Sequence, residues 1–373
     1  MAGPTRIVEL LRADDPRDVV HEAVQRLVEG ELVGLPTETQ YVVAAYSLSP
    51  SVARLPPLAA RWSDLAPVLA VKSSHEALDY IPRVSDAGRK LLRRFWPGPV
   101  TLRFSAEHVG GLAASLPATT GDALRLSDGL AMRLPLHDLT QSILRLLPAP
   151  LVLSPEQSTE GGARTGSDLA ERCGDEMSLL LDAGPLRYNQ PTSMVHVDES
   201  WSIAREAVVP SRTLHRLAGN LYLFVCTGNT CRSPMAEGLF RRLLSERLGC
   251  TDDELVDRGF VVASAGVAAG PGMPASDESI EQLRKRGIDL RGHESQPVSS
   301  QLVNQADRIV AMTRGHRDVL LREFPEAAGR VELLSKTGAD LVDPIGGGDE
   351  DYRRCAEQIE RDLRVLLEEI PTV

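Results

Sequence analysis

One thiol and one guanidinium, six residues apart, carry the clearest chemistry in the chain: residues 225–233 read Val-Cys-Thr-Gly-Asn-Thr-Cys-Arg-Ser. A loop between Cys226 and Arg232 can curl so that the main-chain N–H groups of Thr227, Gly228, Asn229, Thr230, Cys231 and Arg232 converge on one anion. Arg232 adds a planar, two-pronged cation suited to phosphoryl oxygens, and the run that opens at Ser233 begins a helix whose positive end faces the same point. A field that holds phosphate also favours a thiolate, so Cys226 is expected as a nucleophile at the floor of a phosphate trap. The bare spacing is short enough to arise by chance; its surroundings give it weight. Residues 221–225 form an apolar, β-prone run ending at Cys226, and Pro234 sits just inside a helix start.

Expelling a leaving group from phosphorus also needs a proton donor. Asp343-Pro344, followed by Ile345-Gly346-Gly347-Gly348, is a stiff turn joined to a flexible hinge, so Asp343 can serve as a general acid on a closing segment. Taken alone, an Asp-Pro pair is an ordinary turn. The expected reaction has Cys226 attacking phosphorus in line while Arg232 and the loop amides hold the oxygens. Asp343 protonates the departing atom, and water then hydrolyses the phosphocysteine. No metal and no cofactor are expected for this chemistry: the five cysteines form no Cys-x2-Cys pair and the eight histidines are scattered.

The segment from 221 to about 370 resembles the low-molecular-weight protein-tyrosine-phosphatases. The loop carries the resemblance together with Ser264-Ala265-Gly266, the stretch Ala306-Asp307-Arg308-Ile309-Val310-Ala311-Met312-Thr313, and Asp343-Pro344. It implies a Rossmann-like three-layer fold with a parallel sheet. It also implies Cys226 as nucleophile, Arg232 as binder of phosphate, Asp343 as acid, Ser233 as donor to the thiolate and Asn229 as a brace of the loop. Cys231 has a plain role as a small buried apolar side chain. The resemblance adds a second one, a resolving thiol that traps oxidised Cys226 as a reversible disulfide. Within the family, Cys-Thr-Gly-Asn-Thr-Cys-Arg-Ser-Pro-Met-Ala-Glu is similar to the protein-arginine-phosphatase branch. Tyrosine-directed members commonly carry an aliphatic residue where this chain has Thr230, whose hydroxyl suits a polar phosphoguanidinium. Ile345 departs from both branches, since aromatic residues usually line the entrance there. The expected partner is therefore a phosphorylated protein, with phosphoarginine favoured over phosphotyrosine. Arsenate reduction uses a related loop but needs a resolving cysteine pair downstream, which Cys250 and Cys355 do not obviously make.

The elements that must position this loop alternate. A strand ends at Cys226 and a helix follows Ser233. Then come a strand near 261–262, a helix over 275–286, a strand over 308–312, a helix after Thr313, a strand over 331–334 and a last helix from about 349 to 369. Such βα alternation implies a parallel sheet covered on both faces, with the ligand crevice at the strand carboxyl ends. The seam between two domains is expected within 210–220, dividing the chain into 1–217 and 218–373.

In the first part, a helix over 20–29, a strand over 31–35 and a turn over 36–39 are expected. This part resembles the YrdC-like threonylcarbamoyl-AMP synthase family. The resemblance rests on Leu35-Pro36-Thr37-Glu38-Thr39-Gln40-Tyr41, Phe95-Trp96-Pro97-Gly98-Pro99-Val100-Thr101-Leu102, Ala131-Met132-Arg133-Leu134-Pro135 and Pro191-Thr192-Ser193-Met194-Val195. It implies a twisted mixed sheet with helices around a nucleotide-sized cavity. It also implies a synthase that joins threonine, bicarbonate and ATP for tRNA modification. Thr37, Thr39, Arg61, Arg133 and Ser193 are the candidate ligand contacts, although hydroxyls more often cap turns and arginines more often sit on surfaces. Several motif residues are lost. The family's Lys-x-Arg reads Ala59-Ala60-Arg61, its Ser-Ala-Asn falls in Ser154-Pro155-Glu156, and Val42-Val43 stand where glycines usually let a ligand approach. A degenerate synthase domain is expected, with an active ATP-using synthase or an RNA- or nucleotide-binding module that regulates the second domain as alternatives; double-stranded RNA is one such ligand.

At 373 residues, 42% hydrophobic and 25% charged, the composition is that of ordinary globular domains. Net charge is −11; residues 1–217 carry 22 basic and 26 acidic side chains and the remainder 19 and 26, so neither part has the bulk positive field of a strong nucleic-acid binder. No leader pattern and no apolar run near 18 residues are seen, so a cytoplasmic protein without membrane contact is expected.

Overall fold

The computed structural model describes residues 4–12, 15–157, 162–188 and 190–370. The chain divides into two compact units, Met1–Leu214 and His215–Val373. The division falls inside the helix Ser211–Ala218, three residues before the boundary drawn from sequence. Among the described residues, no helix is long and apolar enough to cross a membrane.

Among the described residues, the first unit is built on a ten-stranded mixed sheet. Across it the strands run Arg6–Glu9, Leu179–Asp182, Val33–Pro36, Tyr41–Tyr46, Leu151–Leu153, Val68–Ala70, Leu130–Arg133, Val100–Phe104, Ser193–Val197 and Trp201–Arg205. Helix Pro16–Val28 starts with proline at its first position, where the missing N–H costs nothing, and the Asp15 carboxylate accepts from the Arg17 N–H. Its buried face, Val19, Val20, Ala23 and Leu27, recurs every three to four residues and joins a core with Leu35, Val42 and Leu153. The next strand begins at Val33 rather than 31, because Gly30 at φ +88° and the bond from Glu31 N–H to Arg26 C=O take up two residues turning off the helix. Val42 and Val43 lie fully buried in a central strand, which explains branched residues there without any ligand.

The second unit is the one that positions the Cys226–Ser233 loop. Its elements are β1 (Asn220–Cys226), α1 (Arg232–Leu248), β2 (Phe260–Gly266), α2 (Asp277–Arg284), α3 (Ser300–Gln305), β3 (Arg308–Ala311), α4 (Arg314–Glu323), β4 (Val331–Leu333) and α5 (Asp349–Glu368). The sheet order is β2-β1-β3-β4 and every pairing is parallel. The short helix α3, capped by Ser299, was not among the expected elements; Val303 is its one buried residue, too little for a periodic signal. Side chains of β1 alternate between two cores. Tyr222, Phe224 and Cys226 face α1 and α5, while Leu221, Leu223 and Val225 join Val303 and Leu320 on the other face. Because β1 pairs with β2 on one side and β3 on the other, the chain order reverses beside its carboxyl end, the place where open α/β sheets leave a crevice.

Candidate active site

The loop after β1 folds back on Cys226. The Cys226 Sγ, itself buried, lies 3.0 Å from Ser233 Oγ and accepts from the Asn229 N–H at 3.3 Å. Asn229 adopts φ +56°, a left-handed conformation that asparagine tolerates better than most residues. Its side chain holds that turn: Nδ2 donates to Ser233 Oγ at 3.0 Å and to Ser264 Oγ at 2.9 Å, while Oδ1 accepts from the Gln296 N–H at 2.9 Å. The Asn229 carbonyl lies 2.7 Å from His293 Nε2. Ser264 Oγ in turn donates to Glu237 of α1. The loop is also stitched to its neighbour strand, where Val267 N–H donates to Cys226 C=O and Ala268 N–H to Thr227 C=O. Gly266 makes this approach feasible: a Cβ there would stand 2.4 Å from Thr227 O and 2.9 Å from Asn229 N.

Arg232, the first residue of α1, is 5% exposed and pairs with Asp343 on the segment before α5. The remaining guanidinium contacts are long, 3.5 Å to Leu341 C=O and 3.5 Å to Thr227 Oγ1. The cation and the carboxylate thus meet although Asp343 lies 111 residues after Arg232, and the same guanidinium reaches Thr227, the neighbour of Cys226. Asp343, Pro344 and Ile345 also line a cavity of about 580 Å³ with Asp351, Arg354 and Cys355, and Ile345 stands exposed beside it. Thr230 turns its hydroxyl to within 3.6 Å of Cys231 Sγ. Cys231 is buried, 3.4 Å from Tyr352 OH and within reach of Ser276. All five cysteines are free thiols. Burial pushes the Cys355 thiol up to about 12, so this cysteine stays protonated.

The first-unit candidates are arranged differently. Thr37, Thr39 and Arg133 meet, but around two carboxylates of the same unit. Arg133, 2% exposed, donates to Glu156 at 2.7 Å and to Glu38 at 2.8 Å. Thr39 Oγ1 donates to Glu156 at 2.5 Å, and Glu156 also accepts from the Thr192 N–H at 2.7 Å. Thr37 Oγ1 donates to Gln40 C=O. Burial works against both charges, yet the pairing outweighs it, holding Arg133 above and Glu156 below their ordinary values. The cavity beside them, lined by Arg133, Glu156, Thr192 and Arg205, measures about 20 Å³, room for roughly one water rather than a nucleotide. Ser193 bonds to the backbone of Ala207 and Val209, and Arg61 sits half-exposed against Glu176.

Comparison with known proteins bears on both units. Residues 222–372 match the family model for low molecular weight phosphotyrosine protein phosphatase. The protein-arginine-phosphatase of Bacillus subtilis (strain 168) is 36% identical over 152 residues, 40% of this chain and 95% of that one. The chain belongs to the low-molecular-weight phosphatase family. Its second unit is accordingly a phosphoric monoester hydrolase of the phosphoprotein-phosphatase kind. The arginine phosphatase YwlE of Geobacillus stearothermophilus, a solved structure, is 34% identical, covering 41% of this chain and 99% of its own, with a TM-score of 0.36. Residues 25–207 match the Sua5/YciO/YrdC model, described as telomere recombination. A putative threonylcarbamoyl-AMP synthase of Mycobacterium tuberculosis (strain CDC 1551 / Oshkosh) is 30% identical over 174 residues, 46% of this chain and 76% of that one. The first unit belongs to that family.

Several residues of the phosphatase unit escape a reading of sequence. Gln296, His293 and Glu237 brace Asn229 or its partner Ser264 from 67, 64 and 27 residues away along the chain. His316 bonds Thr227 across 89 residues. None carries a local signal, because each acts only through a partner that folding brings near. In the first unit, Glu38 stands inside the Thr37–Thr39 turn and Glu156 inside the altered motif, but their role appears only with the burial of Arg133, which needs counter-charge inside the protein.

Proposed function

We propose that the second unit hydrolyses phosphorylated proteins through a phosphocysteine. Cys226 attacks phosphorus and its electron pair becomes the S–P bond, while the bond to the leaving atom breaks toward the proton of Asp343. Arg232 and the N–H groups of residues 227–231 hold the three remaining oxygens. Water deprotonated by Asp343 then attacks the phosphocysteine, returning the thiolate and inorganic phosphate. The observation that carries this reading is the position of Cys226 Sγ between the Ser233 hydroxyl and the Asn229 N–H, with the Arg232–Asp343 pair beside the same loop. Ser233 donates to the anionic sulfur and Asn229 holds the loop open.

The substrate class we favour is phosphoarginine over phosphotyrosine. Thr230 offers a hydroxyl where an aliphatic side chain would suit a phenyl ring, and Ile345 at the rim offers no ring for stacking. The Bacillus relative carries the protein-arginine-phosphatase name. The expected result is hydrolysis of p-nitrophenyl phosphate that disappears in Cys226→Ser, with faster turnover of phosphoarginine-bearing than of phosphotyrosine-bearing protein. A large preference for the tyrosine substrate would overturn the substrate class and leave the mechanism standing; equal activity in Cys226→Ser would overturn the mechanism.

For the first unit, we read the closed Arg133–Glu38–Glu156 cluster as the mark of a domain without synthase chemistry, since its own carboxylates take the donors that an anionic ligand would need. ATP is then not its cofactor, and any nucleotide or RNA would bind elsewhere on its surface. Pyrophosphate released from ATP in the presence of threonine and bicarbonate would refute this. A cytoplasmic setting, where glutathione keeps thiols reduced, fits a cysteine nucleophile.

A further inference from the structure

We infer that His316 is a positioning residue for the phosphate-binding arginine and acts through Thr227, an assignment that rests on the roles given above to Cys226 and Arg232. His316 lies in the first turn of α4, outside the loop, and is 7% exposed. Its ring is engaged at both nitrogens. Nδ1 is 3.0 Å from Thr313 Oγ1 and Nε2 is 2.9 Å from Thr227 Oγ1. Thr313 is the cap of α4 and its Oγ1 also accepts from the His316 N–H, so ring and helix start are tied to one hydroxyl.

What each group can donate or accept limits these bonds. A guanidinium only donates, so Thr227 Oγ1 accepts from Arg232 Nη2, the 3.5 Å contact. The Thr227 hydroxyl keeps its proton and a second lone pair, so it bonds Nε2 in either neutral tautomer, with Thr313 Oγ1 taking the complementary role at Nδ1. Burial, and then the positive charge of Arg232, push the His316 value down to about 4, so the ring is neutral over the ordinary working range. A neutral ring fixes the hydroxyl that faces Arg232 without placing a second cation beside the phosphate. Thr227 is thereby held twice, through its carbonyl by Ala268 and through its hydroxyl by His316. Three elements, β1, α1 and α4, are coupled at the cation that must meet the phosphoryl oxygens.

The test uses the full chain with p-nitrophenyl phosphate as substrate and orthovanadate as a competing oxyanion. His316→Leu removes both ring bonds, His316→Gln keeps an amide able to accept from Thr227, Thr227→Val removes the hydroxyl at similar volume, and Thr227→Ser retains it. His316→Leu and Thr227→Val should each lower kcat/KM and vanadate affinity about tenfold, with the double variant no worse than the poorer single one. His316→Gln and Thr227→Ser should recover most of both quantities. Additive losses in the double variant, unchanged vanadate affinity in His316→Leu, or a Gln variant as impaired as Leu would each overturn the relay. If His316→Leu does not fold, the Thr227→Val and Thr227→Ser pair decides: equal vanadate affinity in the two overturns it. Wild-type protein that neither hydrolyses the ester nor binds vanadate would overturn the catalytic roles and the relay together; hydrolysis in the wild type with any of the other adverse results overturns the relay alone.

Discussion

Replacing Gly266 by alanine tests whether the phosphate loop depends on close backbone approach. The new methyl would lie 2.4 Å from Thr227 O, 2.9 Å from Asn229 N and 2.9 Å from the Ala269 Cβ. Two of these neighbours are backbone atoms of the loop, and neither can rotate away. Ordinary carbon–oxygen contact begins near 3.4 Å, so the loop or the end of β2 must give by about 1 Å. The strand end cannot move freely, because Gly266 N–H donates to Gln296 C=O at 3.0 Å and Val298 N–H donates to Gly266 C=O at 3.0 Å. The loop therefore takes most of the shift, carrying Thr227 and the Asn229 N–H that faces Cys226. A misplacement of about 1 Å in a positioned site is worth on the order of a hundredfold in rate. Overpacking of this size costs roughly 1–3 kcal/mol, a fall of several degrees in the melting temperature of a unit this large. The expected outcome is a folded Gly266→Ala protein with kcat/KM for p-nitrophenyl phosphate reduced about a hundredfold. Activity within threefold of wild type would show that the loop does not need this contact, and the positional argument would fail.

Other consequences can be checked with equal economy. Ser233→Ala removes the hydroxyl 3.0 Å from Cys226 Sγ and should slow iodoacetate alkylation of Cys226 at neutral pH about tenfold; an unchanged rate would separate Ser233 from the thiolate. Glu156→Ala leaves Arg133 with one carboxylate and should destabilise the first unit by about 3–5 kcal/mol in denaturant unfolding, and a loss below about 1 kcal/mol would refute the closed cluster. Because Glu156 titrates below its ordinary value when folded, its contribution is fully present above about pH 4.3 and fades as pH falls through the folded value; acid unfolding followed by near-ultraviolet circular dichroism should show this, and acid stabilisation of the first unit would contradict it. His316 titrates near 4 when folded and about 6.5 when unfolded, so the unfolded chain takes up the proton first and the second unit should lose stability as pH drops between those values. His316→Gln should flatten that slope, measured as melting temperature against pH, and a slope unchanged by the substitution would assign it to another group.

The Cys226–Ser233 loop of the second unit and the elements flanking it were legible in order along the chain because they are local. Cys226, the loop donors, Ser233 and Arg232 lie within eight consecutive residues, and an apolar strand before them with a proline-started helix after them dictates how they are presented. The alternating β1 face and the capped helices α2 and α4 follow from the same short-range rules, with ends shifted by only a few residues. What surrounds the loop was not legible. His293, Gln296, Glu237 and His316 reach it from distant parts of the chain, and no periodicity or spacing marks a side chain whose partner is chosen by how strands stack. The first unit shows the same division more sharply. The resemblance to the YrdC-like family placed Thr37, Thr39, Arg61, Arg133 and Ser193 in one group, yet only folding decides that Arg61 lies at the surface and Arg133 is enclosed. A buried cation must find its counter-charge inside the protein, and the tertiary packing that brings Glu38 and Glu156 to Arg133 supplies it.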